Sequence, residues 1–148
     1  MSLEERIENE FKAALKERNR LKVSTLRLVK AEINNVRLKH DKNDLNDGEI
    51  IKIIQRQAAQ RRDSIEQFEK GKREDLVEQE KKELAILLGY LPEQLSDDEL
   101  KKIIEGAISE LGASGKSQMG RVMKAVMERV KGKAEGKRVS RLVSDILS

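Results

Sequence analysis

Apolar residues recur along the whole chain at spacings of three and four, the repeat that places side chains on one face of an α-helix. Leu26, Val29, Ile33 and Val36 follow this repeat, and similar stripes occupy most of the remaining sequence. No segment alternates strictly between apolar and polar residues, as a half-buried β-strand would. We therefore predict an all-α protein.

One break divides the helical pattern into two parts. Residues 89–95 contain the only proline and the only tyrosine of the 148-residue chain, and Pro92 disfavours helix at the residue before it. We predict an N-terminal domain of about four helices over residues 1–91. A small C-terminal domain of three helices is predicted over residues 92–148.

Short polar residues and glycines punctuate this pattern. A serine or asparagine side chain can accept a hydrogen bond from the free amides at a helix start, and glycine adopts the left-handed conformation that commonly ends a helix. We predict that helices start at Ser2, Asn46, Ser96 and Ser117 and stop at Gly71, Gly112 and Gly132.

Gly120 stands inside the sixth predicted helix. Glycine at an internal helix position costs roughly 1 kcal/mol relative to alanine, so the residue calls for an explanation. We interpret it as a point where two helices pack closely. The alternative interpretation is close approach of an RNA backbone.

Charge is unevenly distributed although the net charge is only +4. Residues 113–148 carry nine basic and three acidic side chains, whereas residues 96–112 have a net charge of −3. A solvated surface would explain a single run of charge, but concentration around one turn favours binding of phosphate groups. The candidate RNA-binding residues are Arg121, Lys124, Lys131, Lys133, Lys137, Arg138 and Arg141.

The residues needed for several kinds of chemistry are absent or isolated. The chain has no cysteine and a single histidine, His40, which lies in a charged segment with no partner indicated by spacing. Residues 115–117 mimic the end of a phosphate-binding loop, but the upstream glycine of that motif is replaced by Glu110. We predict no catalytic residue, no metal site and no cofactor.

The longest apolar run, residues 84–88, is far shorter than the roughly 20 residues that a membrane span requires. The N-terminal segment is charged from its fourth residue and lacks the apolar centre of a signal peptide. Together with the absence of cysteine, these features lead us to expect a cytoplasmic protein that does not contact a membrane.

Aromatic residues bear on the kind of nucleic acid expected. The only two phenylalanines, Phe11 and Phe68, lie on predicted core stripes. Proteins that bind single strands need exposed aromatic side chains on which bases stack. We therefore expect recognition of a folded RNA through its shape and phosphates, and no binding to DNA.

Two segments carry a family resemblance. Residues 119–124, Met-Gly-Arg-Val-Met-Lys, precede residues 130–139, Val-Lys-Gly-Lys-Ala-Glu-Gly-Lys-Arg-Val. In order and spacing they resemble free-standing YqeY proteins and the tail domain of GatB, a subunit of the tRNA-dependent amidotransferase. The YqeY resemblance extends over nearly the whole chain, including residues 26–33 and 90–92.

The resemblance implies a C-terminal domain that grips the outer body of tRNA, away from the acceptor end. It also implies that the chemistry of GatB resides in a cradle domain and a separate amidase subunit, which these 148 residues do not include. We expect a non-catalytic tRNA-binding helper, with an amidotransferase or synthetase component as a further partner. A helical adaptor for protein partners and a glutamine-dependent carbon–nitrogen ligase stay open as alternatives.

Overall fold

Seven α-helices and one short 3-10 turn, at Lys116–Gln118, make up the computed structural model, which describes residues 1–148. The all-α prediction is confirmed, since no strand is present. No helix combines the length and the apolar character that crossing a bilayer requires. The helices are α1 (Leu3–Glu17), α2 (Arg20–His40), α3 (Asp47–Lys70), α4 (Glu74–Leu88), α5 (Asp97–Leu111), α6 (Met119–Val130) and α7 (Gly136–Leu147).

The helices form two compact units, Met1–Leu91 and Pro92–Ser148, and each unit has its own apolar core. In the first unit the core includes Leu26 of α2, Ile54 of α3 and Leu87 of α4, all of them inaccessible to solvent. That each unit folds in the absence of the other stays a prediction.

Helices α5, α6 and α7 enclose the core of the second unit. Each contributes side chains with no solvent exposure, such as Leu100, Val126 and Val139. These residues recur at helical spacing because the face of each helix that carries them packs against the other two. The opposite faces of α6 and α7 remain open to solvent, and these two helices with the turn between them carry most of the positive charge of this unit.

Most of the predicted helix boundaries correspond to local hydrogen bonds. The side chains of Ser2, Asn46 and Ser96 each accept a hydrogen bond from the backbone amide three residues later. Gly112 ends α5 in the left-handed conformation, with φ of 61°. These interactions satisfy amides and carbonyls that a helix end leaves without a partner.

The prediction that Ser117 caps α6 is wrong. Ser117 lies within the 3-10 turn, and α6 begins at Met119 without a side-chain cap. The backbone itself supplies a hydrogen bond at the start of α6, because the amide of Gln118 donates to the carbonyl of Gly115 over 3.2 Å. A 3-10 turn that leads directly into an α-helix leaves no free N-cap position for the serine.

Tyr90 fastens the end of the first unit onto α1. Its hydroxyl donates to Oε1 of Glu10 over 2.9 Å, and the guanidinium of Arg6 lies 4.7 Å from the centre of its ring. Burial alone would raise the pKa of Glu10, but hydrogen bonds from Tyr90, Arg6 and Lys22 outweigh it and hold that pKa below its usual range. Burial, followed by the neighbouring carboxylate, raises the pKa of Tyr90, so the phenol stays protonated and remains a donor.

Replacing Glu10 with glutamine is expected to lower the free energy of unfolding at pH 7 by about 1 kcal/mol, because hydrogen bonds to a charged acceptor are lost at a partly exposed site. A carboxylate with a lowered folded-state pKa stabilises the fold above its unfolded pKa, and this contribution disappears as pH falls through the folded-state pKa. Urea unfolding at pH 7 and pH 3 should therefore show a difference between wild type and Glu10→Gln that shrinks at pH 3. A difference that is equal at both pH values would contradict the assigned role of the charge.

Candidate nucleic-acid interface

The turn between α6 and α7 is held by the segment that precedes α5. The backbone amide of Leu95 donates to the carbonyl of Lys133 over 2.8 Å, and the side-chain amide of Gln94 donates to the carbonyl of Gly132 over 3.0 Å. Ala134, in the middle of the turn, has no solvent exposure. The basic turn is therefore a fixed piece of backbone, and these three supporting residues were not among the sequence-based candidates.

Two successive residues of this turn have positive φ angles. Lys131 lies in the left-handed region with φ of 35° and ψ of 65°, and Gly132 has φ of 86°. Glycine adopts such angles without steric cost, whereas a lysine pays about 1 kcal/mol in backbone strain. Lysine at position 131 therefore does not stabilise the turn, but it adds a positive charge to the surface of the turn.

The structure separates the seven candidate residues by exposure. Arg138 is partly buried, donates to the backbone carbonyl of Leu95 and pairs with Asp97, with its Nε 3.5 Å from the carboxylate. Arg138 therefore anchors α7 to the start of α5, and most of its donors face the protein. The other six candidates, Arg121, Lys124, Lys131, Lys133, Lys137 and Arg141, are exposed.

The exposed cations of α6 lie opposite its buried stripe. Val122, Val126 and Val130 face the core, and at about 100° per residue Lys124 projects from the far side of the helix. Arg121 lies on the same solvent-facing side as Lys124 because the two are three residues apart.

Arg129 lies on the flank of α6 that faces α5. Its guanidinium is paired with the carboxylate of Glu110. A side-chain carbon on Gly106 of α5 would lie 3.7 Å from the same guanidinium. Because Glu110 partly neutralises it, Arg129 adds less positive charge to this surface than the sequence alone indicates.

The exposed cations of α7 lie on a similar outer row. Lys137 and Arg141 are four residues apart and lie on the side of the helix away from Val139 and Val143, which are fully buried. Gly136 lies close to α6, since a side-chain carbon there would be 3.9 Å from the terminal methyl group of Met127. Below, "basic hairpin" means the outer face of α6 and α7 with their turn, residues 119–147.

The basic hairpin presents its charge in two places rather than one. Lys131 and Lys133 lie in the turn, and Lys137 and Arg141 follow in the first half of α7. Lys124 lies seven residues before Lys131, which corresponds to about 10 Å along a helix axis. Arg121 lies one turn farther away and donates to Oε1 of Gln118 over 2.7 Å.

The positive charges at the starts of α6 and α7 do not stabilise these helices. The first turns of α6 and α7 contain no acidic residue, whereas those of α1, α3, α4 and α5 each contain at least two. Cations near a helix N-terminus oppose the helix dipole and cost about 0.3–1 kcal/mol at exposed sites. Arg121 and Lys137 occupy such positions, so helix stability does not explain their positive charge.

The interpretation of Gly120 as a point of close helix packing is wrong. Gly120 is exposed, and a side-chain carbon added there would meet no heavy atom within 4 Å. Its absence of a side chain therefore serves no contact within this chain. The interpretation that an RNA backbone approaches at this point remains untested.

Other chemistry-bearing groups are dispersed. His40 is exposed at the last residue of α2, and no group of three or more histidine, cysteine, aspartate or glutamate side chains is placed to hold a metal ion. Phe11 packs against the core of the first unit, as predicted, whereas Phe68 is partly exposed and lines an open cleft with Lys72 and Val77.

Comparison with known proteins identifies relatives over the whole chain. The model of the Yqey-like protein family matches residues 4–147. A protein named Altered inheritance of mitochondria protein 41, mitochondrial, from Pyrenophora tritici-repentis is 33% identical over 145 residues, which covers 96% of this chain and 79% of that protein.

Proteins of the same name from two yeasts match more restricted regions. The protein from Kluyveromyces lactis is 34% identical over 84 residues, covering 57% of this chain and 45% of the relative. The protein from Lachancea thermotolerans is 29% identical over 113 residues, covering 75% of this chain and 60% of the relative. The chain thus spans less than two thirds of the length of either yeast protein.

The names of these relatives contradict the expectation of a cytoplasmic location, because each is called mitochondrial. That expectation depended on the absence of cysteine, of a long apolar run and of a signal-peptide pattern. None of these features distinguishes the cytosol from the interior of an organelle.

Proposed function

We propose, from the premise that this chain belongs to the family of Yqey-like proteins, that its basic hairpin binds the phosphate backbone of a folded tRNA. The resemblance to YqeY proteins is confirmed by that membership. The observation that carries the proposal is the row of exposed cations on the outer face of α6, α7 and their fixed turn.

The contacts that this surface can make support the proposal. Lysine and arginine side chains bind phosphate oxygens, and such contacts fix the position of a nucleic acid without reading its sequence. The second unit contains no aromatic residue, so stacking on unpaired bases is not open to it. Phosphates of a structured RNA are the ligand that this composition favours.

A fixed turn strengthens the proposal because it limits the entropy lost on binding. The backbone bonds from Leu95 and Gln94 hold the carbonyls of Lys133 and Gly132, so that only the lysine side chains need to be ordered. Pre-organisation of this kind raises affinity without additional contacts. The proposal assigns no catalytic residue, and the tRNA itself is the partner inferred.

The test is the salt dependence of binding by the full chain to unfractionated tRNA and to an RNA duplex of equal phosphate number. About four phosphate contacts should give a slope of log affinity against log salt of roughly −3 to −4. Lys133→Ala should make the slope shallower by about one unit, because Lys133 is exposed on the turn and lies outside the core. Lys81→Ala, an equal charge change at an exposed position of α4, serves as the matched control.

Two outcomes would count against the proposal. Equal affinity for tRNA and for the duplex would reduce the interaction to general attraction between a basic protein and a polyanion. Identical slopes for wild type, Lys133→Ala and Lys81→Ala would remove the hairpin from the interface, and a protein partner would then become the better explanation of its charge.

A further inference from the structure

A second concentration of positive charge lies in the first unit, although residues 1–95 taken together are nearly neutral. Residues 12–30 contain seven basic side chains and a single acidic one, Glu17. This stretch covers the end of α1, the connection to α2 and the first half of α2. Summing charge over the whole unit hides it, because acidic residues at the start of α1 and along α3 and α4 compensate.

Only two of the seven basic residues are used for ion pairs within the fold. Nζ of Lys22 lies 3.4 Å from Oε1 of Glu10, and Nζ of Lys30 lies 2.9 Å from Oε2 of Glu8. The remaining five are exposed and make no ion pair with a carboxylate. These five define what we name the α1–α2 corner: Lys12, Lys16, Arg18, Arg20 and Arg27.

Helix geometry places the four helical residues of this corner in one exposed row on α1 and one on α2. Lys12 and Lys16 are four residues apart on the side of α1 opposite buried Ile7. Arg20 and Arg27 are seven residues apart, two turns along one row of α2.

Arg18 occupies the connection between the two helices, which is only two residues long. It has φ of 58°, and the amide of the next residue, Asn19, donates to the carbonyl of Ala14 over 3.0 Å. The side chain of Asn19 in turn caps α2 by accepting from the amide of Lys22. Local hydrogen bonds therefore hold the backbone of the corner, as they hold the turn of the basic hairpin.

The stability of the fold does not explain all of this charge. Lys16 in the last turn of α1 interacts favourably with the helix dipole, but Arg20 is the first residue of α2, whose first turn has no acidic residue. Of the seven helices, only α2, α6 and α7 begin in this way. The unfavourable arrangement thus occurs at the α1–α2 corner and at the basic hairpin, and nowhere else.

Arg27 adds a feature that distinguishes the corner from a random cluster of cations. Its guanidinium lies over the ring of Phe11 at 5.9 Å, and Nζ of Lys30 lies 4.0 Å from the same ring. Contact with the ring holds the Arg27 side chain against the surface while its donors remain open to solvent. An arginine positioned in this way is suited to bind a phosphate with two parallel hydrogen bonds.

We propose that the α1–α2 corner is a second phosphate-binding surface, through which the N-terminal unit contacts the same RNA that the basic hairpin binds. This inference rests on the proposed function. Two surfaces in one chain make the second contact intramolecular, which raises the overall affinity without requiring either surface to bind tightly alone.

An anionic membrane is the other polyanion that a basic surface could meet, and the structure disfavours it. Leu15 and Leu28 are the exposed leucines near the corner, at 47% and 50% exposure. The apolar stripe of α1, including Ile7 and Ala14, is buried in the core. A helix that lies in a membrane interface needs a free apolar face, and α1 has none to offer.

The experiment compares full-length double variants by salt-dependent tRNA binding. K12A/R20A should make the slope shallower by about 1.5 units and weaken binding at 0.1 M salt by roughly 30-fold, since each lost phosphate contact contributes about 0.7–0.9 to the slope. K81A/K82A removes two exposed charges from α4 and should leave the slope near that of wild type. K12R/R20K, which keeps both charges, should restore most of the slope, and thermal unfolding checks that every variant folds.

The outcomes separate this inference from the proposed function. If K12A/R20A matches K81A/K82A while Lys133→Ala loses slope, the corner is not an RNA surface and the hairpin proposal stands. If neither K12A/R20A nor Lys133→Ala changes the slope, both proposals fail. Binding to phosphatidylglycerol vesicles that K12A/R20A abolishes, with tRNA affinity unchanged, would assign the corner to a lipid surface and overturn the inference.

Discussion

Replacing Leu142 with alanine is expected to lower the free energy of unfolding of the C-terminal unit by about 2–5 kcal/mol. Leu142 is 5% exposed and belongs to the core that α5, α6 and α7 share. The variant loses the transfer free energy of the removed atoms and leaves a cavity that a rigid three-helix core fills only in part. A domain of this size has a stability of about 3–9 kcal/mol, so the loss takes up a large share of it.

Urea unfolding followed by circular dichroism measures this effect, and Leu38→Ala is the matched control. Leu38 undergoes the same chemical change but is 82% exposed, so its substitution should alter stability by less than about 0.5 kcal/mol. Loss of tRNA binding by Leu142→Ala should follow the unfolded fraction and recover at lower temperature. Equal effects of the two substitutions would show that the core of the second unit is not packed as described.

Reversing three charges of the basic hairpin is expected to abolish most of the proposed tRNA affinity without affecting the fold. In K124E/K131E/K133E all three changed residues are exposed, and none belongs to the core. Three phosphate contacts carry a slope of about 2.4, which corresponds to a loss of roughly 250-fold at 0.1 M salt. Repulsion between the new carboxylates and phosphates adds to that loss.

The control for this prediction carries the same change in net charge at other exposed positions. K52E/K81E/K82E reverses three exposed lysines of α3 and α4, none of which belongs to the hairpin or to the α1–α2 corner. Fluorescence anisotropy with labelled tRNA should rank the control close to wild type and the hairpin variant far below it. Parallel losses in the two triple variants would mean that net charge alone, and no particular surface, determines binding.

The fold could be predicted from the sequence because apolar spacing and capping chemistry are local signals. Stripes such as Leu26, Val29 and Ile33 report which face of a helix is buried, and Gly112 reports a left-handed stop. The prediction that Ser117 caps α6 was wrong because a 3-10 turn uses the same short polar residues as a helix cap and differs only in backbone hydrogen bonding. The interpretation of Gly120 as a helix-packing point was wrong because a glycine inside a helix calls for an explanation without identifying the group that approaches it.

The candidate site was harder to predict because charge in a sequence has no direction. Arg129 and Arg138 count the same as Lys133 in a sum of charges. In the structure, however, Arg129 is paired with Glu110 and Arg138 with Asp97, both of them residues of α5. Only the packing of α5 against the hairpin reveals that difference. The α1–α2 corner was not predicted for a related reason. A net charge near zero over residues 1–95 conceals the separation of basic from acidic residues within that range.

The left-handed Lys131 has a consequence for how this protein would respond to selection for heat resistance. Glycine at position 131 would relieve the strain at φ of 35° and leave the turn otherwise unchanged, so a library screened only for surviving denaturation would favour it. Such a screen would discard one of the cations around the turn without registering any loss. Thermostable descendants chosen in this way would drift from the ancestral surface charge, and engineering of this chain should therefore select for ligand retention and durability together.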